Sequence, residues 1–181
     1  MKFERIQSGP FENLDTHTGK GYPIAFRHAC INRTADWVII DPFARTCPWG
    51  TIRNDLNEDM PTQYHMDALE FMKIMETSSA DLILFDPPFS PIQAERYGEG
   101  MSNIYTNGPY ISALMTEIDR VLKSGGLLLK LGYNTTRHRP TFVLEATWLV
   151  NVGGNRNDVI ITQWRKAQMR LDDPLFMATP P

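Results

Sequence analysis

The chain has 181 residues, of which 42% are hydrophobic and 22% are charged, and its formal net charge is −3. This length is enough for one domain with a single buried core and is short for two. The mildly acidic balance argues against a dedicated nucleic-acid-binding module, since such modules are usually basic. The two cysteines, Cys30 and Cys47, exclude a disulfide framework.

Residues 1–30 are polar, with glycine and proline scattered through them. They predict an irregular lead-in, or a short helix around residues 25–31. The first residues lack the apolar core of a signal peptide, and no apolar run reaches the ~20 residues of a membrane helix. We therefore expect a cytoplasmic protein with no membrane segment. At the other end, residues 172–181 predict a flexible tail.

Two apolar runs, residues 37–40 and 82–85, are each followed directly by Asp-Pro. Runs of this kind are typical of buried parallel strands. A weaker strand is predicted over residues 51–54 and another over 127–131. Residues 142–150 and 159–165 predict two more strands, joined through a Gly-Gly-Asn turn as an antiparallel hairpin.

Apolar residues recur at helical spacing over residues 66–75 and 111–122. Strands that alternate with helices and end in a hairpin predict an α/β sheet with helices on both faces. In such sheets, ligands bind beyond the carboxyl ends of the parallel strands. We therefore expect the functional site at the edge where both buried strands end in Asp-Pro.

The most informative segment follows the second buried strand and consists of Asp86, Pro87, Pro88 and Phe89. The prolines cannot donate to a sheet ladder and hold the backbone in a rigid turn. The carboxylate and a turn carbonyl can together accept both N–H groups of an exocyclic amine, while Phe89 stacks on the planar base. This geometry aims the nitrogen lone pair at an electrophile. A target base in a duplex must first be flipped out.

On these residues the chain resembles the class I S-adenosylmethionine-dependent amino-methyltransferases, whose catalytic motif is (D/N/S)-P-P-(Y/F/W). The aspartate form looks more like the adenine N6 branch, and the chain is similar to short phage-type adenine-specific DNA methyltransferases. The resemblance covers about residues 37–166. It implies a Rossmann-like class I methyltransferase sheet, mostly parallel with a C-terminal antiparallel hairpin. It also implies S-adenosylmethionine as cofactor and the four motif residues as catalytic.

The resemblance further implies which residues bind the cofactor. In the family, the first strand ends in a D-P-F-x-G-x-G-like loop that cradles the cofactor. The start of that loop matches Asp41, Pro42, Phe43 and Ala44. An acid after the second strand, which binds the ribose hydroxyls in the family, corresponds to Asp55. An acid before the next helix, which contacts the adenine amino group, corresponds to Asp67, with the Ala68 backbone beside it.

The chain departs from the family pattern after Ala44, because residues 45–50 do not form the expected glycine-rich loop and leave no room for the usual helix. The fold is therefore predicted to be shortened after the first strand. The exposed part of the sheet would be covered by the N-terminal segment or by a second subunit. Arg45 is a candidate to bind the cofactor's carboxylate. Trp49 either packs on the cofactor or fills the core, and core filling is the simpler interpretation.

No segment supplies a separate target-recognition domain, so we expect a single domain over residues 1–181. Residues 90–109 are the only long loop, and they either read the target or simply connect two elements. The four histidines show no metal-ligand spacing, so no metal site is predicted.

The leading hypothesis is methyl transfer from S-adenosylmethionine to the N6 amine of adenine in DNA. An RNA base methyltransferase is the alternative within enzymes. A degenerate partner subunit, which binds S-adenosylmethionine without turnover, is the alternative outside them. The altered loop at residues 45–50 favours this last hypothesis, and the intact catalytic motif opposes it. A homo-oligomer is compatible with each.

Overall fold

A computed structural model describes residues 1–9, 16–88, 108–136, 139–153 and 158–168. The strands of this part of the chain are β1 (Lys2–Gln7), β2 (Ile39–Asp41), β3 (Ile52–Arg53), β4 (Ala80–Phe85), β5 (Leu122–Gly132), β6 (Phe142–Asn151) and β7 (Val159–Lys166). The helices are α1 (Gly21–Ala29), α2 (Ala68–Ile74) and α3 (Gly108–Val121), and a 3-10 helix (Thr16–Thr18) precedes α1.

The described strands form one seven-stranded sheet in the order β1-β6-β7-β5-β4-β2-β3. Strand β7 is antiparallel to β5 and β6, and all the other neighbouring pairs are parallel. The predicted α/β class, with a mostly parallel sheet and an antiparallel C-terminal hairpin, is therefore confirmed. Because β2, β3, β4 and β5 run in the same direction, their carboxyl ends meet at one edge of the sheet.

The central strands are buried on both faces, which explains why their sequences are uninterrupted apolar runs. Ile40 and Ile83 pack in the cluster that contains α2 and α3, whereas Ile39 and Leu84 pack in the cluster that contains α1. All four side chains are fully buried. Burying one such side chain contributes about 1.5–3 kcal/mol, so these strands anchor the whole sheet.

The N-terminal region differs from the predicted irregular lead-in over residues 1–30. Strand β1 lies at the edge of the sheet, where Lys2 pairs with Ala146 and Gln7 with Asn151. Of its side chains only Ile6 is buried, so β1 carries little of the apolar pattern by which strands are recognised. The predicted short helix is present as α1, four residues earlier than expected.

No helix lies between β2 and β3, where the described residues 42–51 form turns. The shortening predicted after the first strand is therefore present. Helix α1 covers this face together with Trp49, whose ring stacks on Phe26 with a centroid distance of 4.5 Å. Trp49 also meets the edge of Tyr22 at 5.0 Å. The N-terminal segment thus covers the face, and Trp49, which is partly buried, packs against the core beside it.

Three predicted features lie outside the described residues: most of the long loop, the Gly-Asn part of the hairpin turn, and the tail at residues 172–181. The assignment of the whole chain to a single domain stays a prediction. Within the described ranges, no helix combines the length and apolar character needed to cross a membrane.

Helix α1 packs tightly on β6 at its first residue, Gly21. A Cβ atom there would lie 2.7 Å from Cγ1 of Val150 and closer still to Cγ2. We expect Gly21→Ala to lower the free energy of unfolding by about 1–3 kcal/mol, because overpacking displaces α1 from the sheet. Urea denaturation followed by circular dichroism measures the change. Gly108→Ala is the matched control, since Gly108 begins α3 and an added Cβ there meets no described atom within 4 Å. Equal stability of the two variants would contradict the packing of α1 described above.

Candidate active site

Two acidic residues stand at the ends of neighbouring parallel strands. Asp41 ends β2 and is buried, whereas Asp86 follows β4 and is half-buried. Burial raises the pKa of the Asp41 carboxyl well above its usual range. A hydrogen bond of 3.1 Å from the Phe43 N–H to Asp41 Oδ1 opposes this shift. The negative charges of Asp86 and Asp55 raise the pKa of Asp41 further. Burial and two neighbouring charges therefore all disfavour the ionised form of Asp41.

The catalytic motif predicted from the sequence begins at this edge. Pro87 and Pro88 are buried directly behind Asp86, as expected for a rigid turn after a strand. The hydroxyl of Thr16, from the 3-10 helix before α1, donates a hydrogen bond to Asp86 Oδ2. Phe89, the fourth residue of the predicted motif, lies outside the described residues.

Asp55, the predicted ribose-binding acid, is buried beside the loop that follows β2. Its Oδ2 accepts the Arg45 N–H at 3.0 Å, and its Oδ1 accepts the Asn57 N–H at 2.9 Å. Arg45 has a φ of 44°, in the left-handed region that favours glycine. The left-handed residue of this loop is thus an arginine and not a glycine, and its backbone N–H is held by Asp55.

Asp67, the predicted adenine-binding acid, is the N-cap of α2. Its Oδ1 accepts the N–H groups of Leu69 at 2.9 Å and Glu70 at 3.2 Å. Its Oδ2 accepts the hydroxyl of Tyr110 from α3 at 2.8 Å. Asp67 therefore begins a helix and links it to α3, and these contacts fix the direction of its carboxylate.

Asn54 was not among the predicted site residues, although it is 1% exposed and joins two loops of the site. Its Nδ2 donates to the carbonyls of Pro42 at 3.1 Å and Met66 at 2.9 Å. Its Oδ1 accepts the Met66 N–H at 3.1 Å. One feature of the sequence could have identified Asn54 as a site residue: it ends a predicted strand and directly precedes Asp55.

A small pocket opens between the ends of β2 and β3 and the start of α2. Its lining residues are Pro42, Phe43, Asn54, Leu56, Met66, Asp67 and Ala68. Four of the predicted cofactor residues are therefore brought together on one pocket wall. Apolar side chains and one carboxylate acceptor suit a planar aromatic ring that carries an amino group.

The remaining predicted residues lie outside the lining of this pocket. Ala44 is buried, and its N–H donates to the Asn54 carbonyl at 2.9 Å. Asp41 and Asp86 lie toward α1, where their charges act on the buried Tyr22 hydroxyl. The site thus has two parts, the apolar pocket beside α2 and a carboxylate pair, Asp41 and Asp86, beside α1. Thr16 and Tyr22 belong to this second part and were not predicted from the sequence.

No family model matches the chain, and no curated protein matches it significantly. Among solved structures, the chain is similar to the methyltransferase yhhF from Escherichia coli, with 10% identity and a TM-score of 0.57. That likeness covers 92% of this chain and 99% of yhhF. It is also similar to NSun6 from Pyrococcus horikoshii, whose structure was determined with SFG, with 16% identity and a TM-score of 0.52. This second likeness covers 84% of this chain and 53% of NSun6. The chain therefore has the Rossmann-like fold of methyltransferase structures.

The three hydrogen bonds of Asn54 make it the residue that most strongly orders the pocket. We expect Asn54→Ala to lower the free energy of unfolding by about 2–3 kcal/mol, because it removes the partner of a buried Pro42 carbonyl and of two partly buried Met66 backbone groups. Gln63→Ala is the control, since Gln63 also bridges backbone groups, at Arg53 and Thr51, but on the exposed surface. Chemical denaturation of both variants measures the difference. A loss no greater than that of the control would contradict the central role of Asn54.

Proposed function

We propose that the chain transfers a methyl group from S-adenosylmethionine to the exocyclic N6 amine of adenine in DNA. The observation that carries this proposal is the position of Asp86, Pro87 and Pro88. They follow β4 at the edge where β2 ends in Asp41, in a fold shared with a methyltransferase structure. This is where ligands bind in open α/β sheets.

The charges of the site support a cationic cofactor. Asp41 is buried and lies within electrostatic range of two further acids, so a negative charge there is costly in the isolated protein. A positively charged ligand offsets that cost. S-adenosylmethionine carries both an ammonium group and a sulfonium centre, and it supplies an electrophilic methyl group when bound.

The residues that line the pocket beside α2 have the chemistry to bind the adenine end of that cofactor. Pro42, Phe43 and Ala68 offer apolar contact to a planar ring. Asp67 offers carboxylate oxygens to its amino group, and Asp55 offers oxygens to the ribose hydroxyls. Each oxygen of Asp55 already accepts one backbone N–H. A carboxylate has about four acceptor positions, so capacity for a diol remains.

For the target amine, Asp86 accepts one N–H and the proline turn provides a carbonyl for the other. These two bonds hold the amine so that its nitrogen lone pair points at the methyl carbon. With the cofactor bound, its methyl group would pass to this nitrogen, the electron pair of the broken carbon–sulfur bond would stay on sulfur, and the extra proton of the amine would leave to water. Phe89 is proposed to stack on the base, as the family resemblance implies.

Replacing the motif carboxylate tests the reaction directly. We expect Asp86→Asn to reduce methyl transfer on the order of a hundredfold or more, because an amide cannot stabilise the charge that develops on the amine. Affinity for S-adenosylmethionine is expected to change less than twofold. The assay follows labelled methyl groups into N6-methyladenine, and calorimetry measures cofactor binding.

The control is Asp81→Asn, which changes the same residue type at the amino end of the same strand, where Asp81 pairs with Lys123 at 2.8 Å. Unmethylated duplex DNA, single-stranded DNA and total RNA are separate substrates. Label in RNA alone would contradict the DNA assignment and keep the reaction. No label with any substrate, although the cofactor binds, would indicate the partner subunit without turnover.

A second variant tests the adenine pocket. Asp67→Ser keeps a residue that caps helices well and removes the carboxylate. We expect its affinity for S-adenosylmethionine to fall about tenfold, since a hydrogen bond to a charged acceptor is worth about 1.5–3 kcal/mol. Tyr110→Phe is the control, because it removes the hydroxyl that donates to Asp67 and accepts the Leu69 N–H but leaves the Asp67 carboxylate in place. Equal calorimetric affinities for Asp67→Ser and the wild type would place the adenine elsewhere.

A further inference from the structure

The N-terminal segment, defined as residues 16–29, lies against the edge of the sheet that carries the carboxylate pair. Thr16 is 6% exposed, and its hydroxyl donates to Asp86 Oδ2. Tyr22 is 2% exposed and lies in the same region. Burial raises the pKa of Tyr22 well above its usual range, and the charges of Asp41 and Asp86 raise it further. Two side chains of this segment therefore face the acids of the site.

The bond from Thr16 has a geometric consequence for Asp86. A carboxylate at the end of a strand can rotate about its side-chain bonds, and a buried hydroxyl fixed by a helix restricts that rotation. A carboxylate offers about four acceptor positions, so the bond to Oδ2 leaves capacity for the N–H of an amine. Orientation of this kind is a large part of how a site lowers a barrier.

The bond also has an electrostatic consequence. The negative charge of Asp86 raises the pKa of three groups that lie around it, Asp41 of β2, Tyr22 of α1 and Cys47 of the loop between β2 and β3. The charge of Asp86 raises the pKa of Asp41, so the two carboxylates repel each other whenever both are ionised. A hydroxyl that donates to the carboxylate favours its ionised form and so opposes that repulsion.

We propose that Thr16 is a positioning residue for methyl transfer, whose hydroxyl fixes the Asp86 carboxylate in the orientation that receives the target amine. This inference rests on the proposed function. With this role for Thr16, the N-terminal segment both covers one face of the sheet and contributes a side chain to the site.

The test compares Thr16→Val, which removes the hydroxyl and keeps the shape, with Thr16→Ser, which keeps the hydroxyl. Thr141→Val is the control, because the Thr141 hydroxyl also donates to an aspartate, Asp119 at 3.1 Å, at the opposite edge of the sheet. All variants are measured as the full chain with S-adenosylmethionine and unmethylated duplex DNA. Calorimetry gives cofactor affinity, and thermal unfolding gives stability.

We expect Thr16→Val to lower kcat about tenfold or more, with cofactor affinity changed less than twofold. Thr16→Ser is expected to retain at least a third of the wild-type kcat, and Thr141→Val all of it. The fall of activity at low pH is expected to begin at a higher pH in Thr16→Val, because the ionised carboxylate has lost a donor.

The other outcomes separate the possible failures. A wild-type kcat and pH profile in Thr16→Val, alongside an inactive Asp86→Asn, would overturn the role of Thr16 and leave the proposed function standing. Equal losses of kcat, cofactor affinity and thermal stability would show a structural role and also overturn it. A wild-type chain that transfers no methyl group to DNA or RNA would overturn the proposed function, and the role of Thr16 with it.

Discussion

The hydrogen bonds of the Asn54 side chain are the contacts on which the site depends. Strands β2 and β3 are very short and pair only through Ile40 with Ile52 and Asp41 with Arg53. Sheet pairing alone therefore orders little of the chain beyond them. Asn54 extends that order by joining the loop after β2 to the segment before α2. Because the amide is buried, these bonds face little competition from water. Asn54 thus fixes the segment before α2, and the Asp67 cap fixes the first turn of the helix.

The loop after β2 shows how a backbone shape can persist when the residue type usually associated with it is absent. Arg45 takes a left-handed conformation, which costs a non-glycine residue about 1–2 kcal/mol. The Arg45 N–H is held by the Asp55 carboxylate, and a hydrogen bond to a charged group contributes about 1.5–3 kcal/mol. The free-energy cost of the left-handed conformation and the stabilisation by this hydrogen bond are of similar size. Asp55 therefore stabilises this loop, in addition to the ligand contact proposed for it.

Local patterns were sufficient to predict the centre of the sheet but not its edge. The apolar runs that became β2 and β4 are buried on both faces, so their composition alone identified them, and the position of Asp41 and Asp86 followed from the strand ends. Strand β1 is exposed on most of its length and exists because β6 pairs with it. Thr16 lies 70 positions from Asp86 in the chain. No periodicity connects residues so far apart, because only tertiary packing brings them together.

The pairing of β1 with β6 also sets an order of events during folding. Lys2 pairs with Ala146, so the first strand of the chain has no partner until almost the whole sheet exists. Contacts between residues this distant in sequence are slow to form, and a strand edge that is still unpaired during folding is prone to aggregate. The 3-10 helix and α1 follow β1 in the chain, and α1 packs against β5, β6 and β7. A growing polypeptide therefore completes the bond from Thr16 to Asp86 only after the strands near its end have joined the sheet.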